Sequence, residues 1–205
     1  MSRTALIAGV TGLVGEQLLL QMVASDTYAQ ITLLSRKPLA VDDARVRVVM
    51  TDFSDLAALG TALRADDVFC CLGTTLKTAG SRAAFERVDY QMVVDLARAA
   101  HAQGAQQFLV ISAAGTAANS PSFYSRVKAR MEQDVAAAGF DSVQILRPSL
   151  LLGTRREHRQ GERAAQRIMP MLSPLLWGGL KKYRAVTAHD VAAAMLQLAA
   201  RRQSG

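Results

Sequence analysis

Residues 4–23, TALIAGVTGLVGEQLLLQMV, decide how the rest of the chain is read. Thr4 and Ala5-Leu6-Ile7-Ala8 suit a buried strand. Gly9, Gly12 and Gly15 follow at i, i+3 and i+6, and Leu13, Val14, Leu18, Leu19, Met22 and Val23 then recur on one broad helical face. In such a strand–turn–helix unit each glycine has a task. Gly9 lets the chain leave the strand sharply, Gly12 lets backbone approach a pyrophosphate, and Gly15 lets the helix lie close against the sheet. The free N–H groups and positive dipole end of the new helix then face the phosphates. The expected cofactor contacts here are Gly9, Thr11, Gly12, Leu13, Val14 and Gly15. A structural turn that binds nothing is the alternative, and the strand before and helix after weigh against it.

The 205 residues suffice for one domain with a substantial core, residues 1–150 forming a cofactor-binding part and 151–205 a small substrate or partner lobe. The longest apolar stretch, 169–180, is too short to span a bilayer and is interrupted by Pro170 and Pro174. The N-terminus runs straight into the first strand and does not read as a signal peptide. Cys70 and Cys71 are adjacent, so they form no ordinary structural disulfide with each other, and no metal-ligand spacing exists. Together these features point to a cytoplasmic protein with no metal and no membrane contact. The net charge is +7, yet ten of the 24 Lys and Arg side chains and only three of the 17 acidic ones follow residue 150. An anionic partner is therefore sought in the last quarter.

Beyond the first helix, 31–34 reads as a second strand ending in Ser35-Arg36-Lys37-Pro38. An NAD-preferring site calls for an acid here; a hydroxyl and two cations suit the 2′-phosphate of NADP, the alternative being a solvated basic turn. Residues 45–50 alternate as a third strand, followed by Asp52 and Phe53. Asp52 either accepts from the adenine amino group or caps a helix starting near 54–55. The apolar run 68–72 is a fourth strand, delivering Cys71, Leu72, Gly73, Thr74 and Thr75 to the crevice, the threonines offering hydroxyls to phosphate or ribose. Cys71 reads as a small core residue rather than a reactive thiol. A long helix covers 82–103, with Asp89 close to its apolar face. Strand 107–112, helix 122–138 and strand Ser142–Leu146 follow, the last closed by Arg147-Pro148; Phe53, Ile111, Tyr124, Lys128, Arg147 and Pro148 are further expected cofactor contacts. This alternation predicts an α/β fold: a Rossmann-type doubly wound parallel sheet flanked by helices, in strand order 3-2-1-4-5-6.

Tyr124 and Lys128 stand four apart, on one helical face. Ser112 ends the preceding strand, next to Ile111, and reaches the same edge. A phenol with pKa near 10 is a poor acid–base at neutral pH, and an ammonium one turn away lowers it. Ser112 would hydrogen-bond the substrate oxygen as its charge changes. A Tyr-x-x-x-Lys pair alone is more often a surface pair than a catalytic one; its conjunction with the glycine turn and Ser112 favours a hydride-transfer site.

These residues resemble the short-chain dehydrogenase/reductase superfamily in its extended/atypical branch, whose Gly-x-x-Gly-x-x-Gly stands here as Gly9, Gly12 and Gly15. The similarity narrows to the oxidoreductase-like HIV-Tat-interacting-protein group and its bacterial relatives, on Phe69-Cys70-Cys71-Leu72-Gly73-Thr74-Thr75, Ala79-Gly80, Phe85, Arg87-Val88-Asp89, Tyr124, Lys128 and Arg147-Pro148. The resemblance implies a Rossmann fold, NADP(H) as ligand, and Ser112, Tyr124 and Lys128 as the catalytic triad. It implies no substrate, and members of the group are also described as regulators that bind other proteins. Asp89 stands where many relatives carry an Asn in a proton relay, a departure that takes it out of the catalytic set.

Arg155, Arg156, His158, Arg159, Arg163 and Arg167 cluster in the last quarter, either as a recognition stripe for an anionic substrate or acidic protein, or as a solvated face. The stripe lacks the interleaved aromatics that nucleic-acid binding uses. Residues 169–180 read as an apolar lid, core or docking surface, 183–186 as a short strand, and Thr187 as the cap of a final helix carrying Val191, Met195 and Leu198 inward. Two functions follow: an NADP(H)-dependent oxidoreductase of a small carbonyl or alcohol, or a non-catalytic NADP(H)-sensing module. Monomer and homodimer are equally admissible.

Overall fold

In the computed structural model, residues 3–149, 151–152 and 186–201 are described. Six strands, β1 (Arg3–Ala8), β2 (Tyr28–Ser35), β3 (Val46–Met50), β4 (Asp67–Cys70), β5 (Gln107–Ile111) and β6 (Ser142–Leu146), form one sheet in the order β3-β2-β1-β4-β5-β6. All five pairings are parallel, so every strand delivers its carboxyl end to the same edge. The order is the expected one.

β1 shows why the strands are apolar without alternation. Ala5 and Ile7 face a layer that includes Leu18 and Met22 of α1 (Leu13–Val23), while Leu6 and Ala8 face the opposite layer with Leu96, Ala100, Met131 and Val135. A strand covered on both faces has no solvent side to make polar. The second layer is built from α4 (Met92–Ala102) and α5 (Phe123–Ala136). Short helices α2 (Leu76–Ala79) and α3 (Arg82–Glu86) precede α4.

Two elements differ from expectation, and a third agrees with it. After β3, Asp52 accepts from the Ser54 N–H at 2.8 Å and Phe53 takes φ 63°, so the chain turns into a 3-10 segment, Ala57–Leu63, instead of an α-helix from 54–55. Asp52 caps this turn and not a helix. The helix expected over 82–103 is interrupted by a π turn, Arg87–Gln91, between α3 and α4. The last helix, α6 (Ala188–Arg201), packs against α1 on the sheet face, where the Arg3 guanidinium donates to the Ala199 carbonyl at 2.9 Å. Thr187 caps α6 by accepting from the Asp190 N–H at 3.0 Å, and Val191 and Met195 are buried as anticipated.

A two-residue ladder joins β7 (Leu151–Leu152) to β8 (Val186–Thr187). The arginine cluster of 155–167, the apolar stretch 169–180 and residues 183–185 of the expected strand lie outside the described residues. Among the described residues, no helix is long and apolar enough to cross a membrane, and no cluster of three metal-ligating side chains occurs.

Candidate active site

The carboxyl edge of β1 opens onto the glycine turn. Gly9 has φ +86°, and a Cβ there would stand 2.5 Å from the carbonyl carbon and oxygen of Cys71. The turn and the loop after β4 are therefore in backbone contact, a closeness only glycine permits. Gly12 stands at the N-cap of α1 in extended conformation, and no side chain caps the helix. Its first N–H groups keep their capacity to hold an anion, with Thr11 exposed beside them. Gly15 packs against the backbone of Gly9 and Val10, which is the close approach anticipated, made to the turn itself.

The loop after β4 is fixed from below. The Thr74 N–H donates to Asp89 Oδ2 at 2.8 Å, and Asp89 Oδ1 pairs with Lys128 Nζ at 2.8 Å. Both side chains of that pair are almost completely buried. The Thr75 Oγ1, an expected cofactor contact, accepts from the Thr78 N–H at 3.2 Å and caps α2. Cys70 is wholly buried and its thiol is pushed up to about 12 by burial; burial also raises the thiol of the partly buried Cys71, so neither is poised to react.

α5 places the proposed acid–base group. Ser122 caps the helix, and the Ser125 hydroxyl donates to the Gly115 carbonyl at 3.0 Å and accepts from the Ala117 N–H at 2.9 Å. These bonds stitch the first turn of α5 to the loop that leaves β5, fixing the path from Ser112 to Tyr124. The Tyr124 ring lies half-buried, its centroid 5.4 Å from that of Phe85. The phenol is raised above its ordinary value, first by burial; Lys128 pulls it down and Asp89 pushes it up. The expectation that Lys128 holds the phenol low is thus overridden here, because burial outweighs the pull of the ammonium, to which Asp89 adds a smaller opposing push. Burial likewise raises the Asp89 carboxyl against the opposing pull of Lys128 and the Thr74 N–H.

Ser112 follows β5 directly. Its N–H donates to the Leu146 carbonyl at 2.7 Å, and the Ala114 N–H donates to the Pro148 carbonyl at 2.8 Å, so the β5–β6 ladder continues past both strand ends. Its Oγ is buried and makes no hydrogen bond. An unpartnered buried hydroxyl at the carboxyl edge is rare enough to need a reason, and a bound oxygen supplies one.

Other expected contacts are engaged elsewhere. The Ser35 hydroxyl closes on its own turn, donating to the Lys37 carbonyl at 2.7 Å and accepting from the Lys37 N–H at 3.2 Å; Arg36 and Lys37 remain exposed at the end of β2. Arg147 forks onto Glu132 of α5, Nε to Oε1 at 3.0 Å and Nη2 to Oε2 at 2.6 Å, so its guanidinium is not free for a cofactor. Asp89 and Glu132 are the residues that sequence reading missed as partners. The available signal was an acid on an apolar helical face, since such a carboxylate has to be paired.

The glycine cradle, the uncapped helix end and the orphaned Ser112 hydroxyl all fit a dinucleotide, and comparison with known proteins agrees. A family described as NAD(P)H-binding matches residues 9–202. The chain belongs to that family. Among its relatives, HTATIP2 of Rattus norvegicus is 33% identical over 175 residues, covering 83% of this chain and 72% of that protein. The mitochondrial protein FMP52 of Candida glabrata is 35% identical over 159 residues, covering 78% and 68% respectively. The resemblance to the HIV-Tat-interacting-protein group therefore holds. The cytoplasmic expectation does not: FMP52 relatives from several fungi are named as mitochondrial. Two adjacent free cysteines, and the lack among the described residues of a helix able to cross a membrane, suit more than one compartment and carry no address. Among solved structures, MoeE5 in complex with UDP-glucose and NAD superimposes with a TM-score of 0.72 at 16% identity, covering 98% of this chain and 73% of its own. UDP-glucuronic acid 4-epimerase from Bacillus cereus, with NAD, gives 0.68 at 13%, covering 96% and 73%. At such identity the likeness establishes the fold alone, a parallel, doubly wound sheet flanked by helices.

Proposed function

We propose that the protein is an NADP(H)-dependent oxidoreductase of a small carbonyl or alcohol, with Tyr124 as the proton-transfer group. The observation that supports this reading is the buried, unpartnered Ser112 hydroxyl just past the end of β5, in a protein whose Lys128 is tied through Asp89 to the loop that follows β4. The nicotinamide ring supplies hydride exchange when the dinucleotide is bound. Backbone N–H groups of the first turn of α1 hold the diphosphate, with Gly9 and Gly15 keeping side chains out of the cradle. Ser112 donates to the substrate oxygen and steadies its changing charge. Tyr124 gives or takes the proton on that oxygen, and Lys128, anchored by Asp89, stabilises the phenolate. Exposed Arg36 and Lys37, with no acid at the end of β2, support the phosphorylated cofactor, although the Ser35 hydroxyl takes no part in that preference.

The test is a turnover screen of aldehydes and ketones with NADPH, run beside fluorescence titrations of NADPH and NADH. Tyr124→Phe should lose turnover by at least about a hundredfold while keeping cofactor affinity. Tighter binding of NADH than NADPH would overturn the cofactor assignment. A wild-type protein that binds NADPH and turns over no substrate would favour the non-catalytic module instead.

A further inference from the structure

Asp89 is 1% exposed, on a helical face otherwise given to packing. A carboxylate in that position is costly to bury unless its lone pairs are occupied. It has two partners, the Thr74 N–H and the Lys128 ammonium, each at 2.8 Å. It also sits in the π turn that separates α3 from α4, and such a turn shifts the side chains it carries relative to the flanking helices. The same fold feature thus accounts for the interrupted helix and for the pairing.

We infer that Asp89 is a positioning residue: anchored by the Thr74 N–H, its carboxylate holds the Lys128 ammonium and offsets part of its field, and so sets the pH at which Tyr124 releases its proton. This rests on the assignment of Tyr124 as the proton-transfer group and says how that group is tuned. Among the described residues, two charged groups act on the phenol. Lys128 lies one turn along α5 and Asp89 faces it from the π turn. Cys70 of β4 lies near both, its thiol held protonated by burial. The Phe85 ring of α3, against which the phenol packs, is apolar. With Asp89 ionised, this cluster is neutral before the phenol ionises and carries one negative charge afterwards. With Asp89 neutralised, the cluster is positive before and neutral afterwards, so the proton leaves more readily.

The experiment needs no turnover. Tyr124 is one of four tyrosines, and subtracting the ultraviolet titration of each protein's Tyr124→Phe counterpart isolates its phenolate signal. Asp89→Asn should bring that signal at a pH about one unit or more below the wild type. Asp89→Asn/Lys128→Met restores a neutral cluster and should return the signal toward the wild-type position. The double variant strands no buried charge, so it remains informative if Asp89→Asn does not fold. In that event it is compared with Lys128→Met, where Asp89 alone faces the phenol and should place ionisation about one unit above the double variant. A Tyr124 titration unmoved by Asp89→Asn, or identical in Lys128→Met and the double variant, would overturn the inference. Absence of any oxidoreductase turnover would sink the functional reading and leave this titration to be judged alone.

Discussion

Gly15 and Gly9 stand backbone against backbone: a Cβ at position 15 would fall 2.3 Å from the Gly9 carbonyl oxygen and 2.8 Å from its carbonyl carbon. The obstructing atoms are main chain, so no side-chain rotation relieves the clash. The turn has to shift, and with it the N–H groups of α1 that would hold a diphosphate. Gly15→Ala should therefore destabilise the fold by roughly 1–3 kcal/mol and weaken NADPH binding at least about tenfold, read by urea unfolding and by fluorescence titration. Unchanged cofactor affinity in a folded Gly15→Ala protein would mean that the turn is not the phosphate cradle.

Ser112→Ala separates a functional hydroxyl from a structural one. The buried Oγ has no hydrogen bond to lose, and removing an unsatisfied polar atom is neutral or slightly favourable. Stability should stay within about 0.5 kcal/mol of wild type or rise. Turnover should fall by about 10²–10³ if the hydroxyl steadies the reacting oxygen. A loss of stability without loss of turnover would assign Ser112 to the scaffold.

The strand order, the glycine turn and the cap at Thr187 were legible because each rests on local pattern: continuous apolar strands, glycines three apart, a hydroxyl ahead of a helix. What escaped the sequence is pairing between distant elements. Nothing local says that Asp89 meets Lys128 or that Glu132 meets Arg147, because those contacts follow from how α4, α5 and β6 pack. The π turn was invisible for the same reason: its helical periodicity is intact on both sides. The local bonds of Ser35 and Thr75 also escaped the sequence, because a hydroxyl in a turn can close on its own backbone as readily as it can meet a ligand.

Arg147 gives a test of that distinction. Its guanidinium forks onto Glu132, whose side chain is 6% exposed while the arginine's own is about half exposed. Arg147→Ala leaves the Glu132 carboxylate without its fork and should cost roughly 1–2 kcal/mol, discounted for the solvent that reaches the pair. NADPH affinity should remain within about twofold, since the side chain is spent on α5. A large loss of affinity at unchanged stability would restore Arg147 to the cofactor site.

Cys70 makes the alkaline limb of stability predictable. An unfolded thiol ionises near pH 8.5. The folded Cys70 thiol, wholly buried beneath the site, is held protonated to about 12. The folded pKa is raised, so the contribution is fully present below the unfolded value and is lost as pH climbs toward the folded one. Above about pH 8.5 the unfolded chain releases a proton that the folded chain retains, and stability falls by about 1.4 kcal/mol per pH unit on account of this thiol. Urea midpoints from pH 7.5 to 10 should show the decline, over a range that ends before most lysines discharge. Cys70→Ala should flatten it in part, since burial shifts the Cys71 thiol in the same direction and leaves its share of the slope. Parallel curves for wild type and Cys70→Ala would show that the thiol ionises equally in both states, which its position between β1 and β5 does not permit without opening the sheet.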